Sequence, residues 1–177
     1  MTLLRRLVFL AAIGAAAQAA EYPKFGLDVF DPQADGAALV EAGLARAAAE
    51  HKRVVLMFGA NWCPWCHRLN DLFESDPTLI ERFRRDFVLV KIDVNAKTGR
   101  QRNRDVVECF DKPTRRGLPA IVVLESDGTR LATQGTGAWE VPKRKRYQPK
   151  AVEAFFAQWA PSSRGGRRIR DEAGGAE

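Results

Sequence analysis

The stretch Arg53-Val54-Val55-Leu56-Met57-Phe58-Gly59-Ala60-Asn61-Trp62-Cys63-Pro64-Trp65-Cys66-His67 joins two patterns. Residues 53–58 form a continuous apolar run rich in β-branched side chains, the composition of a strand buried on both faces. Gly59-Ala60-Asn61 reads as a short loop, and the spacing predicts a helix from Cys63 to about Phe73. Two cysteines three positions apart therefore stand where a strand hands over to a helix. In thiol–disulfide exchange the attacking species is the thiolate, of which a thiol with a pKa near ~8.5 supplies little at neutral pH. A sulfur at a helix N-terminus meets unsatisfied N–H groups and the positive end of the helix dipole, and both favour the anion. Cys63 is thus the candidate nucleophile, and Cys66, one turn later and more buried, the candidate resolving thiol. Pro64 falls in the first helical turn, where its missing donor costs nothing.

Outward from this junction the elements alternate. The Ala-rich segment from Asp35 to His51 places Leu39, Val40, Leu44, Ala47 and Ala48 on one helical face, with Asp35 as N-cap. Asp76-Pro77 opens a short helix through Arg85, residues 87–93 form a second buried strand, and a polar, basic helix is predicted from about Thr98 to Phe110. Residues 120–124 form a third apolar strand, which the turn Ser126-Asp127-Gly128 folds back into Thr129–Thr133 as a hairpin. Gly135 to Gln148 reads as loop. Pro149 starts a last helix with Val152, Phe155, Phe156 and Trp159 in one stripe. The expected fold is α/β: a central mixed sheet, mostly parallel in its core with an antiparallel C-terminal hairpin, flanked by helices.

The ends read differently. Arg5 and Arg6 precede an uncharged, mostly apolar stretch from Leu7 to Ala20 that closes on Ala17-Gln18-Ala19. This is the pattern of a secretory signal peptide cleaved near Ala19 or Ala20, and it is shorter than the ~20 residues of a membrane span. An uncleaved N-terminal anchor is the alternative. The expected organisation is a signal segment over 1–20, one domain over 21–161, and a disordered basic tail over 162–177 whose Ser, Gly, Arg and Glu cannot bury apolar area. The formal charge of +6 is concentrated in Lys143-Arg144-Lys145-Arg146, in Arg164 to Arg170 and in arginines between 100 and 116. These read first as solvated basic loops and second as a surface attracting a partner protein. The chain holds three cysteines, too few for a disulfide-stapled scaffold, so the pair reads as chemical.

With a buried strand before it, a helix after it, and Gly117-Leu118-Pro119 ahead of the third strand, the Trp62-Cys63-Pro64-Trp65-Cys66 motif resembles the thioredoxin superfamily, and within it exported proteins of the disulfide-reductase type. The likeness spans roughly Asp35 to Ala160. It implies a thioredoxin-like fold, protein-disulfide oxidoreductase activity through Cys63 and Cys66, and a cis-proline at Pro119, for which an ordinary trans proline is the alternative. A cis bond there would leave the Leu118 backbone free to pair with a substrate strand beside the cysteines. Trp62, Pro64, Trp65, Leu118 and Pro119 are the candidate substrate-binding residues, and His67, if charged, is a candidate modulator of the thiolate. The expected partners are cysteine-containing exported proteins and a redox partner protein, in a periplasmic setting. Neither nucleic acid, nor stable membrane insertion after signal cleavage, nor a cofactor or metal is expected.

One departure stands out. Many thioredoxins carry a buried acid six residues before the first cysteine, and here that position is Met57. Asp93 and Glu74 are the candidate substitutes. Cys109 reads as a buried free thiol or, alternatively, as a regulatory or intermolecular disulfide partner. Other uses of the motif remain open. Cys63-Pro64-Trp65-Cys66-His67 also fits c-type haem attachment, with His67 as axial ligand. Cys63, Cys66, His67 and Cys109 could be offered to zinc, although adjacent ligands at 66 and 67 suit a tetrahedral site poorly. A binding or delivery module on the same fold is the third alternative.

Overall fold

The protein is described here from a computed structural model covering residues 26–95 and 101–161. The predicted signal segment, the basic tail and the first residues of the helix predicted from Thr98 lie outside that range.

The elements follow from local chemistry. Helix α1 (Gly36–Glu50) starts where the Asp35 carboxylate accepts the Ala37 and Ala38 N–H groups, two donors that a helix start leaves unpaired. Strand β1 (Arg53–Gly59) follows, then α2 (Pro64–Ser75) and α3 (Pro77–Asp86), the latter capped by Asp76 with proline at its first turn. Strand β2 (Phe87–Asp93), α4 (Arg104–Cys109), β3 (Ala120–Leu124) and β4 (Arg130–Gly135) come next. A two-residue pair, β5 (Glu140–Val141) and β6 (Arg146–Tyr147), precedes α5 (Pro149–Gln158).

The sheet order is β2-β1-β3-β4. It is mixed, as the alternation implies, but its core is not mostly parallel: β1 and β2 form one parallel pair, while β1–β3 and β3–β4 are antiparallel. The connection after β2 explains this. Asp93 ends β2 opposite Gly59, and β3 begins at Ala120 opposite Phe58, so the link stays at one end of the sheet. A parallel β3 would need a crossover along the strand length, and the six-residue α4 does not supply one.

The predicted helix at 98–110 is likewise shorter. Arg102 N–H bonds the Val94 carbonyl rather than a helical partner, and the Asn103 side chain does not cap its own helix. Asn103 Oδ1 instead accepts Gly36 N–H at 2.8 Å and its Nδ2 donates to Asp93 O at 2.8 Å, tying α1 to β2. Residues 136–147, expected to be loop, contain the β5–β6 ribbon between short 3-10 turns. Cys109 is exposed, not buried. Val106 and Val107 take the sheet-facing side of α4, and Phe110 returns to that side against Phe58, leaving Cys109 turned away.

Alternate strand residues separate two cores. Val54, Leu56 and Phe58 pack beneath α1 and α4, while Val55, Met57, Ile121 and Val123 pack beneath α2, α3 and α5. The second core centres on Phe156, fully buried and ringed by Phe73, Phe83, Phe87 and Phe155 at centroid distances of 5.6, 4.8, 5.6 and 5.2 Å. Truncating it leaves a cavity between three helices and the sheet. Phe156→Ala is expected to lower stability by about 3–5 kcal/mol, read as a shifted denaturant midpoint at unchanged m-value. A loss below about 1 kcal/mol would contradict the packing described.

Candidate active site

Strand β1 ends at Gly59, and the chain turns through Ala60-Asn61-Trp62 with Cys63 N–H closing on Ala60 O at 3.0 Å. Cys63 is itself the N-cap of α2. Its Sγ accepts the Cys66 N–H at 3.2 Å, doing with sulfur what Asp35 and Asp76 do with oxygen at their helices. The first helical turn thus aims an otherwise unpaired donor at the sulfur, and Pro64 fills the position where no donor is needed.

The two thiols differ in access and acidity. Cys63 retains 4 % of its surface and Cys66 none. The Cys63 thiol is held below its ordinary range, first by a hydrogen bond from the Cys66 thiol and then by backbone N–H groups of Cys66 and Trp65, against opposing burial. Burial pushes the Cys66 thiol far up, and donating its hydrogen to Cys63 holds the proton more firmly. The first thiol is thus made more acidic than an ordinary cysteine and the second less so.

The approach of β3 completes the surface. The Leu118–Pro119 bond is cis, and Leu118 O lies 3.7 Å from Cys63 Sγ. Thr136 donates its hydroxyl to Pro119 O at 2.8 Å, so the Tyr147 hydroxyl, 3.2 Å away, is the donor to Thr136 Oγ1. Burial raises the Tyr147 phenol far above its ordinary value and keeps that donor protonated. The Tyr147 ring meets Trp65 edge-on at 5.1 Å, and Arg68 lies over the Trp65 face at 5.0 Å. Trp62, Pro64, Trp65 and Leu118 are all half-buried around Cys63. The structure therefore brings Trp62, Pro64, Trp65 and Leu118 together around Cys63, while Pro119 itself is buried.

His67 is buried, and its Nε2 donates to the Asn61 backbone carbonyl at 2.8 Å, bracing the turn before Cys63. Three supporting residues were not legible from the motif. Asn61 accepts the Val29 and Phe30 N–H groups, each at 2.9 Å, and returns its own N–H to Phe30 O at 2.8 Å. This pins Phe30, 1 % exposed, against the cysteines. Gly59 is required by that contact, since a Cβ there would lie 2.3 Å from Phe30 Cζ and 2.8 Å from Cys66 Sγ. Only contacts across tens of residues reveal these roles; the glycine at the strand end was the one local signal.

Met57 is fully buried in the same cluster as the two sulfurs. Of the two candidate substitutes for an acid there, Glu74 lies at the far end of α2, largely exposed and 3.6 Å from Lys91. Asp93 is different. It pairs in register with Gly59, so its side chain leaves the sheet on the face where Cys66 packs, and it is only 3 % exposed. Arg102 holds it at 2.7 Å. Burial raises the Asp93 carboxyl above its ordinary value against that pull, and its charge adds to the rise at Cys66.

The rival uses fare less well. Cys109 lies on the opposite side of the sheet, and among the described residues no group of three His, Cys, Asp or Glu side chains is arranged to hold a metal ion. Cys66 presents no surface for thioether attachment, and His67 Nε2 is committed to Asn61.

Residues 37–126 match the sequence pattern of a family described as Thioredoxin-like. A thioredoxin of H type from Chlamydomonas reinhardtii is 37% identical over 62 residues, 35% of this chain and about half (52%) of the relative. Among solved structures, a disulphide isomerase from Xylella fastidiosa Temecula1 is 31% identical, with a TM-score of 0.63 over 74% of this chain and 95% of that one. The C-terminal domain of Neisseria meningitidis DsbD, in its oxidised form, is 25% identical with a TM-score of 0.50, covering 71% and 96%. With one cysteine capping a helix, its neighbour one turn on, a cis-proline close to the first sulfur and this breadth of match, the chain belongs to the thioredoxin-like family.

Proposed function

We propose that this protein carries out dithiol–disulfide exchange on cysteine-containing proteins outside the cytoplasm, with Cys63 as nucleophile and Cys66 as resolving thiol. The observation that carries the reading is the asymmetry of the pair: Cys63 receives the helix-start N–H at its sulfur and keeps some surface, while Cys66 is sealed and protonated. The Cys63 thiolate attacks one sulfur of a substrate disulfide, the S–S bond breaks, and the other sulfur leaves as a thiolate. Cys66 then gives up its proton and attacks Cys63 Sγ. The Cys63–Cys66 disulfide forms, the substrate's second sulfur departs, and two electrons have passed to the substrate. The reverse sequence oxidises a substrate dithiol. Direction follows the potential of the pair against its electron partner, where about 30 mV is worth ~1.4 kcal/mol.

Deprotonating a sealed thiol needs a local acceptor, and Asp93 is the one we assign. It faces the Cys66 side from the strand beside Gly59, and its raised pKa strengthens its hold on a proton. Trp62, Pro64 and Trp65 offer the apolar rim for an extended peptide, with the Leu118 backbone beside the attacking sulfur as a strand-pairing edge. Export is supported by Arg5-Arg6, the apolar stretch to Ala20 and Ala17-Gln18-Ala19.

Cys63→Ser should abolish insulin reduction, and Cys66→Ser should accumulate mixed disulfides with substrate; full activity in the first or none trapped in the second would refute the roles. Asp93→Asn should slow decay of the mixed disulfide at pH 7 by a factor on the order of 10². The deficit should shrink as pH rises and hydroxide takes over deprotonation of Cys66. A slowing equal at every pH would reduce Asp93 to a structural part. Sequencing the mature protein from the producing cell should find its N-terminus at residue 20 or 21; an intact Met1 would overturn signal cleavage.

A further inference from the structure

Residues 136–148 add to the thiol site a feature that the four-stranded sheet and its helices do not require. A 3-10 turn over Thr136–Trp139 leads into the β5–β6 ribbon, in which Glu140 pairs with Tyr147 and Val141 with Arg146. The base of the ribbon is fastened to the site twice and closed on itself once. Tyr147 packs on Trp65 at 5.1 Å, its hydroxyl reaches Pro119 through Thr136, and Gln148 N–H closes on Trp139 O at 2.8 Å. The tip is Pro142-Lys143-Arg144-Lys145-Arg146, held by Lys145 N–H on Pro142 O at 3.0 Å with Lys145 left-handed at φ 49°. Its four consecutive cations are exposed, and among the described residues none engages an ion pair. The acid at the base, Glu140, is half-buried with the Arg68 charge beside it.

Such a tip costs electrostatic self-repulsion and, among the described residues, gains no ion pair in return. Arg146 adjoins Tyr147, ~3.3 Å along β6 from the Glu140–Tyr147 rung, and Lys143 to Lys145 follow in the turn beyond it, so the cations stand within the ~10 Å over which charge is felt at moderate salt. We propose that the β5–β6 ribbon is a selectivity arm that favours disulfide substrates bearing acidic residues a few positions from the reacting cysteine. This rests on the exchange reading above. The cations are anchored to the rim of a thiol site, so their ligand is one that brings a cysteine. A membrane surface fits less well, since apolar side chains that would enter a bilayer are missing from the tip.

The test uses the reduced protein and two cysteine peptides activated as pyridyl disulfides. One carries three Glu four to six residues from the cysteine, and the other carries Gln there. In the first step Cys63 thiolate attacks the peptide sulfur, the S–S bond breaks and pyridine-2-thione leaves, giving the rate. Wild type should favour the Glu peptide about tenfold at low ionic strength, and the preference should fall towards unity in ~0.5 M salt. The variant carrying Lys143→Gln, Arg144→Gln and Lys145→Asn should lose the preference, Asn being chosen because it tolerates the left-handed backbone. If that variant misfolds, the salt dependence of wild type still decides. Equal rates on the two peptides, or a preference for Gln, would overturn the arm while leaving the exchange chemistry intact. No reaction with either peptide would overturn both. Retention of wild type but not the variant on vesicles of phosphatidylglycerol and phosphatidylcholine in equal parts, or on duplex DNA, with no peptide preference, would reassign the cations and overturn the proposal.

Discussion

The hydrogen bond from Cys66 N–H to Cys63 Sγ, at 3.2 Å, is the contact on which this site depends. A helix start has donors to satisfy, and here the cap that satisfies one is the sulfur of the proposed nucleophile. Stabilising the helix and stabilising the thiolate become one interaction, strongest when the sulfur is charged. A sulfur moved off the cap would forfeit both.

That cap is held in place from both sides. Beneath it, the missing side chain of Gly59 lets β1 pass against Cys66, and Phe30 fills the space left, pinned by Asn61 from a segment far away in the chain. His67 braces the same turn through the Asn61 carbonyl. Above it, Pro119 is reached by Thr136 and Tyr147, and Tyr147 in turn supports Trp65. The rim that would meet a substrate is thus built by the β4–α5 connection as well as by the motif. Met57 leaves the first strand without a carboxylate, and the buried acid comes from the neighbouring strand, where Asp93 lies across from Gly59. Arg102 keeps that acid oriented while burial raises its pKa.

Much of the site was legible because its chemistry is local. A β-branched apolar run, a two-residue gap between cysteines and a proline at a helix start are statements about neighbouring residues, and α1, α2, α3 and the α5 stripe appear where capping and periodicity put them. The errors were of another kind. The direction of β3 depended on where its connection returned to the sheet, and the length of α4 on Asn103 being drawn away to cap α1. Cys109 lost its expected burial because Phe110, one residue on, was the better fit for the same face.

By itself the amino-acid sequence determined which atoms could react: two sulfurs one helical turn apart, the first at a helix start, since backbone geometry between residues 53 and 73 sets that arrangement without help. The tertiary structure alone decided how completely Cys66 is sealed, which of the two candidate carboxylates shares its face and which ribbon stands over the rim. Burial and charge depend on distances between segments far apart in the chain, and no local pattern encodes those distances.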